Sequence, residues 1–168
     1  MIRNPGGLRE PVLEKAKALE ARVGARQGHE LLVYCTFRPP EEQAILYGYG
    51  RTGDQIMSKV AELHKGGHVA SAIALHGWSL PVPEQKKRTN APPFFSLHQL
   101  GLAFDCVVLI SGKPVWGNRT AEEKALWSWL GSLGESVGLE WAGRWKTFKE
   151  SVHFQYKPPG FNLTDYTR

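Results

Sequence analysis

The stretch FFSLHQLGLAFDCVVLI, residues 94–110, decides the fold. Its second half, LAFDCVVLI, is an apolar, β-branched run that reads as a core strand over 102–110. An aspartate at position 105 of such a strand calls for a partner, because a carboxylate removed from water without one is strongly disfavoured. His98 lies in the loop just before the strand, and Gly101 between them permits a tight turn. The turn can bring His98 and Asp105 to one point, where a metal is one way to satisfy the carboxylate and a structural cation such as Arg38 or Arg144 is another.

Outward from this strand, helices and short strands alternate irregularly. Val12, Ala16, Leu19 and Val23 recur at helical spacing over 11–27, with Pro11 suited to the first turn and Gly28 to the stop. ELLVYCTF, 30–37, reads as a buried strand, and RPPEEQAILYGYGRT as a short helix closed by Gly48 and Gly50. Residues 54–76 carry Ile56, Val60, Leu63, Ile73 and Leu75 around a Gly66-Gly67 break, which predicts two short helices. A proline- and charge-rich loop is expected over 77–93, and SGKP at 111–114 is a turn. Thr120 and Glu123 form a capping box, and Leu126, Leu130, Leu133 and Val137 line one face of the helix that follows. HFQY, 153–156, is a last strand. No glycine-rich phosphate loop follows a strand, so the expected class is α+β, a single domain over 1–168 with a small antiparallel or mixed sheet flanked by helices.

The 168 residues carry a formal net charge of +5, which favours anionic polymers such as cell-wall material, membrane surfaces or nucleic acid. The basic residues are scattered, and the one cluster, KKR at 86–88, is short, so a nucleic-acid-binding role ranks low. No window approaches the length of a membrane span, and the N-terminus lacks the apolar core of a signal peptide. Two cysteines, Cys35 and Cys106, make no disulfide framework and read as free buried thiols. The N-L-T at 162–164 matches a glycosylation acceptor but carries no meaning without a secretory context.

A catalytic zinc site takes three protein ligands from His, Asp, Glu and Cys. His153 at the start of the last strand supplies a third candidate, and Glu150 three residues earlier places a carboxylate beside it. Ser96, His98, Gly101, Ala103 and Asp105 form S-x-H-x-x-G-x-A-x-D, and Glu150 and His153 form E-x-x-H downstream. This combination resembles the zinc D-alanyl-D-alanine peptidases, and within them the phage and bacterial L-alanyl-D-glutamate endopeptidases that cut peptidoglycan stem peptides. CTFRPPEEQAILYGYGRT, KRTNAP and WAGRWKTFKESVHFQY resemble further segments of that group, so the likeness covers roughly residues 8–157.

The resemblance implies that His98, Asp105 and His153 hold one zinc ion, and that Glu150 is the general base for the attacking water and then the acid for the leaving amine. It implies that Arg38 faces the scissile carbonyl or a substrate carboxylate, with an ion pair to Glu41 or Glu42 as its structural alternative. Ser96 would hydrogen-bond the substrate, and Trp145, with Trp141, would wall the cleft or serve as core. Three features depart from the group: Glu150 stands where the endopeptidases often have Asp, Ala142 and Arg144 replace Gly and a polar residue, and about 52–86 is an added helical insert. His64, His68 and His76 in that insert match no motif and read as solvated surface residues.

The expected function is a phage-type endolysin, made in the host cytoplasm and acting on the periplasmic wall after holin-type release. It would be a monomer with peptidoglycan stem peptides as substrate, no nucleic-acid partner and no stable membrane insertion, ending in a short tail at 157–168. A D-alanyl-D-alanine carboxypeptidase or dipeptidase is the rival, with Arg38, Arg51, Lys86, Lys87 and Arg88 as candidates to recognise a free carboxylate. A non-catalytic zinc module of the hedgehog type is the other.

Overall fold

A computed structural model describes residues 1–77 and 86–163. Residues 78–85 of the loop expected over 77–93 and the acceptor threonine at 164 lie outside the described residues. The class is α+β, with five α-helices and one small antiparallel sheet among the described residues. The chain divides into two compact units, the first made of Met1–Phe37 with Leu100–Phe161 and the second built around Arg38–Gln99.

The first unit is a sheet with two helices. Helix α1 spans Glu10–Gly24, with Pro11 in its first turn, and fully buries Val12, Ala16, Leu19 and Val23. It stops three residues before the expected end, because residues 25–28 form the turn, with Gly28 at φ 73°, that feeds β1, His29–Cys35. Strand β2 is Ala103–Ile110, and Ser111 and Gly112, both at positive φ, turn it into a two-residue strand β3, Lys113–Pro114. Helix α5, Ala121–Ser136, opens on the expected Thr120–Glu123 capping box. Strand β4, Glu140–Trp141, was not visible in the sequence, and β5 is His153–Gln155. The strand order is β1-β2-β5-β4, with β3 beside β2.

Alternation along the strands separates two faces. Phe104 pairs with Phe154, and their rings stack at 5.7 Å on the face covered by α1 and α5. Asp105 pairs with His153 on the opposite face. The face of α5 that packs is Trp127, Leu130, Gly131 and Gly134 rather than the Leu126–Leu130–Leu133–Val137 row, whose other three members are half-buried. The cause is ring packing: a Cβ at Gly131 would stand 2.1 Å from Trp141 Cε3, and one at Gly134 would stand 2.3 Å from Phe154 Cε1. The glycines let the helix lie against two aromatic rings that no side chain on that face would admit.

The second unit is helical. Helix α2 spans Pro40–Gly48, α3 spans Gly53–Lys65 and α4 spans Val69–His76, the last two separated at the Gly66-Gly67 break. Thr52 and Gln55 make a capping box at the start of α3. Ala44, Ile56, Val60, Leu63, Ala72 and Leu75 form the core, while Ile73, read with the apolar face, is 64% exposed. His64 and His76 are exposed as expected; His68 is half-buried and stacks on Phe94 at 3.9 Å. No helix among the described residues is long and apolar enough to cross a membrane.

Candidate active site

In the first unit, one row of side chains crosses the sheet on the face opposite α1 and α5. Asp105, the third residue of β2, pairs with Cys35 of β1 on one side and His153 of β5 on the other. His153 Nδ1 lies 3.1 Å from Asp105 Oδ1, and both residues are almost wholly buried. Two ligands of one tetrahedral zinc, each at about 2.0–2.1 Å, stand roughly 3.3 Å apart, so this spacing fits a shared metal. Burial opposes a charged imidazole at 153, but Asp105, Gln155 and Glu150 outweigh it and hold its pKa above the ordinary histidine value.

Gly101 prepares the entry to β2. It sits at φ 64°, its carbonyl accepts from Arg9 N–H at 3.0 Å, and a Cβ there would meet the Gly7 carbonyl oxygen at 3.0 Å. The turn read from the sequence is therefore present, and only glycine suits it. Glu150 lies in the turn that delivers β5, with its carbonyl accepting from His153 N–H at 3.4 Å. Ala142 sits in a short 3₁₀ turn, Ala142–Arg144, without positive φ, so an alanine is tolerated there. Trp141 is core, stacked on Phe154 at 6.4 Å.

A second row on the same face supports the first. His153 Nε2 lies 3.2 Å from Gln155 Oε1, Gln155 Nε2 donates to Glu140 Oε2 at 2.9 Å, and the Trp145 indole N–H donates to Glu140 Oε1 at 2.6 Å. Trp145 is half-buried with its ring 5.5 Å from that of His153, and its single N–H donor is committed to Glu140. Burial alone would raise the Glu140 carboxyl; the donors Gln155, Trp145 and Lys157 more than offset this and hold it below the usual carboxylate range. Cys35 is half-buried rather than buried, and its Sγ comes within 4.8 Å of an Asp105 carboxylate oxygen. Cys106 is a buried free thiol, as expected, pushed well above its ordinary pKa by burial and by Asp105.

The second unit holds the remaining residues singled out in the sequence. His98 lies in a 3₁₀ turn, Leu97–Leu100, at 2% exposure, and its carbonyl accepts from Arg38 N–H at 3.4 Å. Ser96 is buried, and its N–H donates to Gln99 Oε1 at 3.3 Å. Arg38 Nη1 donates to Gln43 Oε1 at 3.0 Å. Gln43, fully buried, gives its amide hydrogens to Thr89 Oγ1 and to the Ala91 carbonyl. Arg51 donates to the Thr89 carbonyl at 3.1 Å and to the Tyr47 carbonyl. The Pro-Glu-Glu-Gln, Gly-Arg-Thr and Thr-Asn-Ala segments noted in the sequence are thus tied together by Gln43 and Arg51. The sequence reading missed Gln43, Gln155 and Glu140; the Pro-Glu-Glu-Gln motif was a signal for the first alone.

Residues 89–156, which contain Ser96, His98, Asp105, Glu150 and His153, match a family model described as D-alanyl-D-alanine carboxypeptidase. The match covers the segment that carries the motif, so this part of the chain is similar to that family. The chain is 28% identical over 160 residues to the peptidoglycan L-alanyl-D-glutamate endopeptidase CwlK of Bacillus subtilis, covering 92% of this chain and 76% of CwlK. Two solved structures also align. The L-Ala D-Glu endopeptidase ChiX of Serratia marcescens has 16% identity and a TM-score of 0.49, over 98% of this chain and 88% of ChiX. The zinc complex of the E175A mutant of the vancomycin-resistance D,D-pentapeptidase VanY has 22% identity and a TM-score of 0.49, over 96% of this chain and 84% of VanY.

Proposed function

We propose that this protein is a zinc-dependent peptidase of peptidoglycan that hydrolyses the L-alanyl-D-glutamate bond of stem peptides. The observation that carries the reading is the buried Asp105–His153 pair, 3.1 Å apart, with Glu150 in the turn leading directly into His153. The likeness to CwlK over 92% of the chain supports the substrate class. In this reading His98, Asp105 and His153 hold the zinc, which supplies Lewis-acid polarisation of the scissile carbonyl. Glu150 accepts a proton as water oxygen bonds to the carbonyl carbon, and returns it to the amine nitrogen as the C–N bond breaks. Arg38, steadied by Gln43, offers guanidinium N–H groups to the developing oxyanion. Ser96 and Trp145 line the substrate path. A lytic role in a phage-infected host, acting on the periplasmic wall, is part of the proposal, and the net charge of +5 supports contact with an anionic envelope.

The description of the matched family favours a second reading, removal of terminal D-alanine. Digesting purified Gram-negative peptidoglycan with and without a chelator, and analysing fragments by mass spectrometry, separates the two. New D-glutamate N-termini that vanish with chelator are expected. Release of D-alanine alone supports the carboxypeptidase reading. No cleavage by the zinc-loaded protein removes both and leaves a non-catalytic zinc module.

A further inference from the structure

The pairing of β4 with β5 brings Glu140 beside Gln155, and Gln155 stands two residues from His153 on the same face. The three side chains form a line of hydrogen bonds, and the line has a direction. Glu140 Oε1 receives the Trp145 indole N–H, and Oε2 faces the Gln155 amide at 2.9 Å and the Lys157 ammonium at 3.2 Å. Every group around this carboxylate is a donor, so it acts as an acceptor only. The Gln155 amide must therefore turn its nitrogen toward Glu140; the reverse orientation would set two oxygens against each other at that distance. Its carbonyl oxygen is left facing His153 Nε2 at 3.2 Å. An acceptor there requires a hydrogen on Nε2, which leaves Nδ1 as the ring nitrogen that can give up its hydrogen to a metal. Nδ1 is the atom that lies 3.1 Å from Asp105.

We propose that Glu140 and Gln155 are positioning residues that keep a hydrogen of His153 on Nε2, so that Nδ1, beside Asp105, is the nitrogen offered to the metal. The inference rests on the reading of His153 as a zinc ligand. Partners of this kind fix ring orientation and raise ligand basicity, and their loss typically weakens metal affinity about 10- to 100-fold. Gln155 is 5% exposed, so water does not readily replace it.

The test uses the full chain labelled with 15N-histidine and loaded with zinc. Two-bond 1H–15N spectra report which ring nitrogen of His153 carries hydrogen, and competition with a chelator reports zinc affinity. The wild type is expected to show hydrogen on Nε2. Gln155→Leu and Glu140→Gln are each expected to weaken zinc binding about 10- to 100-fold. Glu140→Gln keeps size and shape, so a role limited to packing would leave its affinity unchanged. The double variant Glu140→Gln with Gln155→Glu reverses the hydrogen bond between the two positions while keeping an acceptor at 155 for Nε2, and is expected to regain most of the affinity. Hydrogen on Nδ1 in the wild type, or wild-type affinity in both single variants while His153→Ala loses zinc, would overturn the relay and leave the ligand assignment standing. Undiminished zinc binding by His153→Ala would remove the ligand assignment, and the relay with it.

Discussion

Gly134→Ala tests whether the helix-to-sheet packing holds β5, and with it His153, in place. The new Cβ would stand 2.3 Å from Phe154 Cε1 and 2.7 Å from Cδ1. Carbon atoms pack at about 3.5–4.0 Å, so the overlap is roughly 1.2–1.7 Å, too large for local relief. Phe154 is fully buried between Phe104 and Trp141, so its ring has no open direction, and either α5 lifts or β5 shifts. Overpacking of this kind costs about 1–3 kcal/mol. Against it stands the better helix propensity of alanine, about 1 kcal/mol. The net expectation is a loss of up to ~2 kcal/mol, and for a chain of this size each kcal/mol lowers Tm by roughly 2–4 °C. Urea and thermal unfolding give the stability, and chelator competition gives zinc affinity, which should fall because His153 and Gln155 flank the displaced ring. Gly24→Ala is the control, since nothing lies within 4 Å of its added Cβ, and it should be neutral or slightly stabilising. A Gly134→Ala protein more stable than the wild type would refute the packing argument.

Other perturbations separate the remaining roles. Glu150→Ala should retain zinc by metal analysis and lose peptidoglycan hydrolysis; retained hydrolysis removes Glu150 from the chemistry. His98→Ala should lose zinc and stability together, because metal binding is linked to folding, and a metal-free variant with full activity would end the zinc assignment. Gln43→Leu leaves Arg38, Thr89 and the Ala91 carbonyl without its buried amide. It should cost about 1–3 kcal/mol by urea titration and reduce turnover. Glu140, held below the ordinary carboxylate range when folded, contributes stability that is present above that range and lost as pH falls through its folded pKa. Glu140→Gln should therefore flatten the acid limb of a stability–pH curve, and an unchanged limb would contradict it.

Much of the scaffold was legible because single residues report on it strongly. β-branched runs gave β1 and β2, the Gly66-Gly67 pair gave the break between α3 and α4, and Thr120 with Glu123 gave the start of α5. Asp105 was legible as a site residue because an ionisable group in an apolar strand needs an explanation. The buried face of α5 was misread because glycine has no hydrophobic signature, although Gly131 and Gly134 make the closest approaches. Strand β4 has two residues and no periodicity of its own; it exists by pairing with β5. The Glu140–Gln155 contact spans 15 residues and depends on that pairing, so no local pattern announces it. Gln43 lay in a quoted motif, but its bonds to Thr89 and Ala91 arise only on folding.

The register of β1 against β2 carries a consequence for how related sequences are to be compared. Val33 stands opposite Cys106 and Cys35 opposite Asp105, so Tyr34 is an inserted residue in the ladder. Side chains before it keep one parity, and those after it keep the other. In a chain lacking that residue, the side chain opposite the aspartate would follow directly after the one matching Val33 and would still lie on the face of Cys35. Gaps placed by residue identity alone would then equate positions that look in opposite directions. Placed at Tyr34, a single gap keeps the hydrophobic positions of β1 and the chain leading to Arg38 each in their own correspondence.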